Sequence, residues 1–242
     1  MTSITDHLDE IRTRISRAAT RAGRAAEAVS LLAVSKGHDL ATIQEAWAAG
    51  VTDFGENYLH EALPKVSAGH RDLQWHFIGR IQSNKTRDIA ANFAWAQTVT
   101  SARVAGRLSS QRPHYGSPLQ VCIQVQPVAG AGRGSVPRAG CPRDEVGALA
   151  ALIATLPRLR LRGLMLIPHP DLGAGELRTE FSQTRCLFDE LVASGHALDT
   201  LSMGMSDDFE LAVEEGSTMV RIGTALFGPR PVAGDNPAGG HT

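Results

Sequence analysis

The chain has 242 residues, enough for one large α/β domain or two small ones, and its 43% hydrophobic and 20% charged content is that of an ordinary globular protein. With 24 basic and 25 acidic residues the net charge is −1 and no long basic run stands out, which argues against nucleic acid or an anionic membrane as partner. The acidic start (Asp6, Asp9, Glu10) is unlike a signal peptide, and no stretch approaches the roughly 18 consecutive apolar residues that span a bilayer.

The first element reads as a helix, with Ile4, Leu8, Ile11 and Ile15 at helical spacing and Ala22-Gly23 ending it. Residues 31–35 then form a short apolar run of the kind buried on both faces of a parallel sheet. Strand and helix alternate from there. Residues 40–49 read as a helix closed by Gly50, 51–57 as strand two, and 58–67 as a short helix broken near Pro64. Residues 75–79 read as strand three, 83–92 as a helix, 95–100 as strand four, 101–111 as a helix and 119–126 as strand five. Val146, Leu149, Ile153 and Leu156 mark the next helix, 161–167 is strand six, and Leu177 to Val192 is a long helix ended by Gly195. Residues 201–205 are strand seven, 207–215 a helix with Asp207 and Glu210 spaced as a cap pair, and 219–222 strand eight, followed by a short apolar segment.

Eight βα repeats with short connections predict a single (β/α)8 TIM-type barrel with an extra N-terminal helix over residues 1–228. The doubly wound alternative would carry a Gly-rich dinucleotide turn after its first strand, where this chain has Ser35-Lys36-Gly37-His38. The Pro/Gly-rich residues 229–242 are expected to form a disordered tail, and residues 127–142, rich in Gly and Pro, read as a disordered loop in preference to a lid. Cys122, Cys141 and Cys186 are far apart and form no CxxC pair, which predicts reduced thiols in a cytoplasmic protein and no metal site.

Chemistry is expected where the strands end. Lys36 stands at the end of strand one. Strand seven runs into Gly204-Met205-Ser206 and strand eight into Gly223-Thr224, the two turns that commonly make a phosphate site in such barrels. Ser206 as a helix cap and Gly223 as a tight turn are equally good readings of either residue alone. Closure of the barrel would bring Lys36 to the same mouth. An amine beside a phosphate pocket suits a phosphorylated aldehyde, which leaves pyridoxal phosphate and a phosphosugar both open. Alternation in strand eight points Arg221 into the barrel, to be paired with a carboxylate such as Glu56 or Asp53, or with a cofactor ring nitrogen. Asn57 ends strand two at the same mouth. His76 and His169 match no metal-ligand spacing and read as hydrogen-bonded structural residues.

Several runs together resemble the YggS/PROSC family of pyridoxal phosphate homeostasis proteins: Leu31 to Lys36, Phe54-Gly55-Glu56-Asn57-Tyr58, Trp75 to Gly79, Gln82-Ser83-Asn84-Lys85, Leu161 to Met165, Leu201 to Asp208, and Gly216 to Thr224. The resemblance spans about residues 4–228 and implies an alanine-racemase-type barrel of fold type III. It implies pyridoxal 5′-phosphate as cofactor, held as a Schiff base on Lys36, with Arg221 facing the ring nitrogen. Ser206, Gly223 and Thr224 would hold the phosphate, and Asn57 and Met203 would line the pocket. The implied role is intracellular homeostasis of the cofactor without an assigned reaction, with apo-enzymes that use it as partners and a monomer or weak dimer as the expected state. Where the family carries a Lys-x-Gly after strand five, this chain has Arg138-Ala139-Gly140, which keeps the charge but not the imine-forming amine.

Two alternatives stand beside this reading: an amino-acid racemase of the same fold, and a Schiff-base aldolase without pyridoxal phosphate. Efficient racemisation is not expected, because it needs two acid/base groups on opposite faces of the substrate carbon. The resembled racemases take the second, a tyrosine, from an extra C-terminal β-domain, for which residues 229–242 are too few. Tyr58 and Tyr115 are the only tyrosines. Arg221 at the ring nitrogen would also disfavour its protonation and weaken the electron sink.

Overall fold

The computed structural model describes residues 3–70, 72–128 and 139–229. Eight parallel strands close in sequence order, with β1 (Ser30–Val34) beside both β2 (Asp53–Glu56) and β8 (Met219–Ile222). Between them run β3 (Gln74–Phe77), β4 (Trp95–Val99), β5 (Leu119–Val125), β6 (Leu159–Leu166) and β7 (Thr200–Ser202). Helices α2 (Leu40–Ala48), α3 (Leu59–Ala68), α4 (Thr86–Asn92), α5 (Ala102–Gln111), α6 (Val146–Ala154), α7 (Ala174–Ala193) and α8 (Phe209–Glu214) follow the first seven strands in turn. The architecture is the expected TIM-type barrel. Most strand residues are buried because one face packs into the barrel and the other onto the helices.

The expected N-terminal helix is α1 (Ile4–Arg21), begun by a capping box between Ser3 and Asp6. Its buried face of Leu8, Ile11 and Ile15 packs toward α8 and the last described helix, α9 (Thr224–Phe227). Arg14 donates to Glu210 at 2.9 Å, and the His7 ring meets the Leu226 carbonyl at 2.9 Å.

Four local expectations need correction. Helix α3 runs through Pro64 unbroken. The proline forfeits one backbone bond on the solvent side, while buried Leu59, Ala62 and Lys65 hold the opposite face. The segment after β8 is helical, as α9. Asp207 and Glu210 do not cap α8. The helix starts at Phe209, the Met205 N–H donates to Asp208 at 2.6 Å, and Glu210 is drawn to Arg14. Strand β7 ends at Ser202, because Gly204 adopts φ of +94° and a Cβ there would come within 2.7 Å of Ala212. Of the loop after β5, residues 129–138, including Arg138, lie outside the described residues, as do 230–242 of the tail. Where the chain resumes, Cys141 forms a parallel bridge with Val125.

Candidate functional site at the C-terminal mouth of the barrel

A cavity of about 240 Å³ opens at the strand C-termini and gathers Lys36, Asn57, Ser206, Arg221, Gly223 and Thr224. Six of the seven site residues expected from sequence therefore share one space. The seventh, Met203, is fully buried in the main hydrophobic core, and the methionines that line the cavity are Met165 and Met205. Val34, Ile78 and Ile167 supply the apolar wall.

Lys36 is half-buried on the turn after β1, and the backbone on either side of it is held by α3 and β2. The Lys65 ammonium donates to the Ser35 carbonyl at 3.0 Å and to Glu56 at 2.8 Å. The Ser35 hydroxyl donates to the same Glu56 oxygen at 2.6 Å, and the Gly37 N–H donates to Glu61 at 3.0 Å. Glu61 and Lys65 are four residues apart and so share a helix face. They grip the peptides before and after Lys36. Sequence reading missed this brace, although the Glu61/Lys65 spacing was a signal for it.

Asn57 follows β2. Its Oδ1 is buried without a hydrogen-bond partner. Its backbone is fixed from β3, since Gly79 lies so close that a Cβ there would sit 1.9 Å from the Asn57 carbonyl oxygen.

Arg221 in β8 faces inward and is 3% exposed, while Val220 and Ile222 pack into the core. The expected pairing with Glu56 or Asp53 does not form. Glu56 is taken by Lys65 and Ser35, and Asp53 by His76 at 3.0 Å. Arg221 instead donates to the Ser202 carbonyl and hydroxyl at 2.7 and 2.8 Å, and to the Leu166 carbonyl at 2.7 Å. Burial lowers its pKa to about 10, against the pull of Asp208, so the guanidinium remains charged at neutral pH. The Ser202 hydroxyl donates to Gln97 Oε1 at 2.8 Å, and Gln97 Nε2 meets His76 Nδ1 at 2.9 Å. Burial drives the His76 pKa below its usual value even beside Asp53, which assigns a neutral ring with its proton on Nε2. His76 stacks on Trp95 and is structural, as expected.

The turn after β7 meets the start of α9 at Ser206, whose Oγ accepts from the Ala225 N–H at 3.4 Å, so it ties that turn to α9 and does not cap α8. Thr224 is exposed at the start of α9. The arrangement offers an amine, a fixed cation, two hydroxyls beside a glycine, and one buried acceptor in want of a donor. Among the described residues no cluster of metal-binding side chains occurs and no helix is long and apolar enough to cross a membrane. Cys122 and Cys141 are buried, with thiol pKa values raised by burial to about 12 and about 11, and Cys186 is exposed.

Residues 7–231 match the family model for the alanine racemase N-terminal domain. The pyridoxal phosphate homeostasis protein of Pseudomonas aeruginosa is 48% identical over 231 residues, covering 95% of this chain and 97% of that one. The structure of PipY from Synechococcus elongatus PCC7942 with PLP bound superposes with a TM-score of 0.79 at 36% identity, covering 93% of this chain and all of that one. An alanine racemase of Clostridium difficile 630 superposes with a TM-score of 0.72 at 15% identity, a likeness of fold alone, and this chain spans 58% of its length.

Proposed function

The chain belongs to the alanine racemase N-terminal-domain family and, within it, to the pyridoxal phosphate homeostasis proteins, and from that premise we propose that its barrel mouth holds pyridoxal 5′-phosphate on Lys36. The observation that carries this reading is the meeting of Lys36, Arg221, Ser206 and Thr224 in one cavity of about 240 Å³. The donor set fits the group. Asn57 Oδ1, buried and unpartnered, suits a hydroxyl donor, and the apolar wall of Val34, Ile78 and Met165 suits a flat ring. When bound, the cofactor supplies an aldehyde that condenses with an amine to a Schiff base.

This chain's own residues do the holding. The Lys65, Glu56 and Glu61 brace fixes the backbone from which the Lys36 amine projects. Ser206, Gly223 and Thr224 form the phosphate end, where glycine admits close backbone approach and the hydroxyls donate. Arg221, held by three hydrogen bonds, presents a permanent positive charge that disfavours a second proton on a nitrogen beside it.

The role that follows is homeostatic: the protein binds and releases the cofactor in the cytoplasm for apo-enzymes that need it, as a monomer or weak dimer, and is not built for fast turnover. Tyr115 is 85% exposed outside the cavity, and Tyr58, 54% exposed, lines a neighbouring cavity and not that of Lys36. Purified protein mixed with pyridoxal phosphate should show a visible absorption band. Borohydride reduction should then leave a pyridoxyl group on the Lys36 peptide. The absence of the band, or a label on Lys65 or Lys85, would overturn the assignment.

A further inference from the structure

Arg80, Gln82 and Lys85 lie in the stretch between β3 and α4 that the Lys36 cavity does not use. With Tyr58 and His60 at the start of α3 they line a second cavity of about 280 Å³, floored by Phe77. Asn57 is the wall common to both cavities.

The frame of this cavity is braced while its polar side chains are idle. The Gly79 carbonyl accepts from the buried Thr98 hydroxyl at 2.6 Å, and Gly79 abuts the Asn57 backbone. The Lys85 N–H donates to Gln82 O at 2.9 Å. The Ser83 carbonyl accepts from Thr86 Oγ1 and from Arg107 Nε, both at 2.9 Å. The side chains of Arg80, Gln82 and Lys85, by contrast, make no hydrogen bond or ion pair with another described residue. No aspartate or glutamate lines the cavity. The neighbouring Glu61 sits 3.7 Å from the His60 ring and is already engaged by the Gly37 N–H. A rigid loop thus aims two cations into one concave space without a counter-charge, an arrangement that attracts anions.

We propose that this second cavity binds a small organic oxyanion, a carboxylate or a phosphate ester, directly beside the cofactor site. Arg80 and Lys85 carry its charge, Gln82 and the Tyr58 hydroxyl add hydrogen bonds, and Phe77 supports its apolar part. The volume admits only a small molecule. Apart from Asn57 the two cavities share no lining residue, so this site does not depend on what Lys36 carries.

Calorimetric titration tests it with two probes. Succinate is titrated into cofactor-free protein, and inorganic phosphate into protein saturated with pyridoxal phosphate. The succinate arm stands even if Lys36 takes no cofactor. Saturable binding of at least one probe, with one site per chain, is expected, and the tighter probe identifies the source of the oxyanion. The exposed pair Arg80→Gln/Lys85→Gln should weaken it at least about tenfold, from the loss of charged hydrogen bonds, whereas Arg87→Gln, a cation outside the cavity, should leave it unchanged. Failure of both probes to saturate, equal affinity in the double variant, or an equal loss in Arg87→Gln would each overturn the proposal.

Discussion

Arg221 and Asp53 stand at the two ends of one hydrogen-bonded chain that crosses the barrel interior. Each link runs from donor to acceptor in the same sense: Arg221 to Ser202, Ser202 to Gln97, Gln97 to His76, His76 to Asp53. A cation at the strand C-termini is thereby tied to a carboxylate at the strand N-termini. Burial raises the Asp53 carboxyl, but its interactions with His76 and Thr52 together outweigh it and hold the group below its ordinary value. Arg221 is held by carbonyl and hydroxyl groups and not by a carboxylate in contact, which spares the desolvation of a second charge next to it.

Replacing the central member should therefore be costly. Gln97→Leu removes the acceptor for Ser202 and the donor to His76, both buried. It should lower unfolding stability by about 1–3 kcal/mol. In cofactor-loaded protein the freed Ser202 should also let Arg221 shift, moving the visible absorption maximum. Urea denaturation followed by absorption spectra checks both, and a variant within about 0.5 kcal/mol of the parent would show that the chain carries no weight.

Lys65 is the next test. Its ammonium neutralises Glu56, which is fully buried. Lys65→Met should cost about 3–5 kcal/mol by leaving an uncompensated buried carboxylate. The double variant Lys65→Met/Glu56→Leu should recover much of that. Thermal melts of the two variants decide the matter: equal losses would mean that the brace acts by packing and not by charge.

The phosphate end can be probed at its hydroxyls. Ser206→Ala with Thr224→Val should weaken pyridoxal phosphate binding by a few kcal/mol at most, since each hydrogen bond to a charged group contributes about 1.5–3 kcal/mol. The visible band should persist at saturating cofactor because Lys36 remains. Unchanged affinity by spectrophotometric titration would place the phosphate elsewhere.

Amino-acid racemisation should be slow. Deuterium exchange and enantiomer interconversion, measured on cofactor-saturated protein across a panel of amino acids, should stay far below the ordinary enzyme median of about 10 s⁻¹. Turnover near that value on any of them would promote the racemase reading.

Much of the barrel was legible because its signals are local. The run 219–222 is β8 as expected, and the apolar residues from Leu31 onward mark β1. Lys36, Arg221 and Gly223-Thr224 could be placed at one mouth because closure puts β1 beside β8. What escaped was set by long-range fit. The partners of Arg221 are carbonyl and hydroxyl groups on β6 and β7, chosen by the strand register. Met203 gave way to Met165 and Met205 because β7 ends early, at Ser202. Pro64 was read by propensity, and buried neighbours overrode it. Arg80 drew no reading of its own and Lys85 only one within a motif, since only the braced turn from Gly79 sets them around one cavity.

The pairing of Leu32 with Arg221 has a consequence for biosynthesis. The residue expected to carry the cofactor leaves the ribosome before the strand that completes its pocket, with six strands made in between. No nascent chain lacking β8 can present Lys36 and Arg221 to one ligand, so the proposed capture of pyridoxal phosphate must await synthesis of that strand. A closure between such distant segments is also slow in chain-entropy terms. Occupancy of the site is then a certificate of finished assembly: any molecule that holds the cofactor at this mouth has already joined its two distant strands.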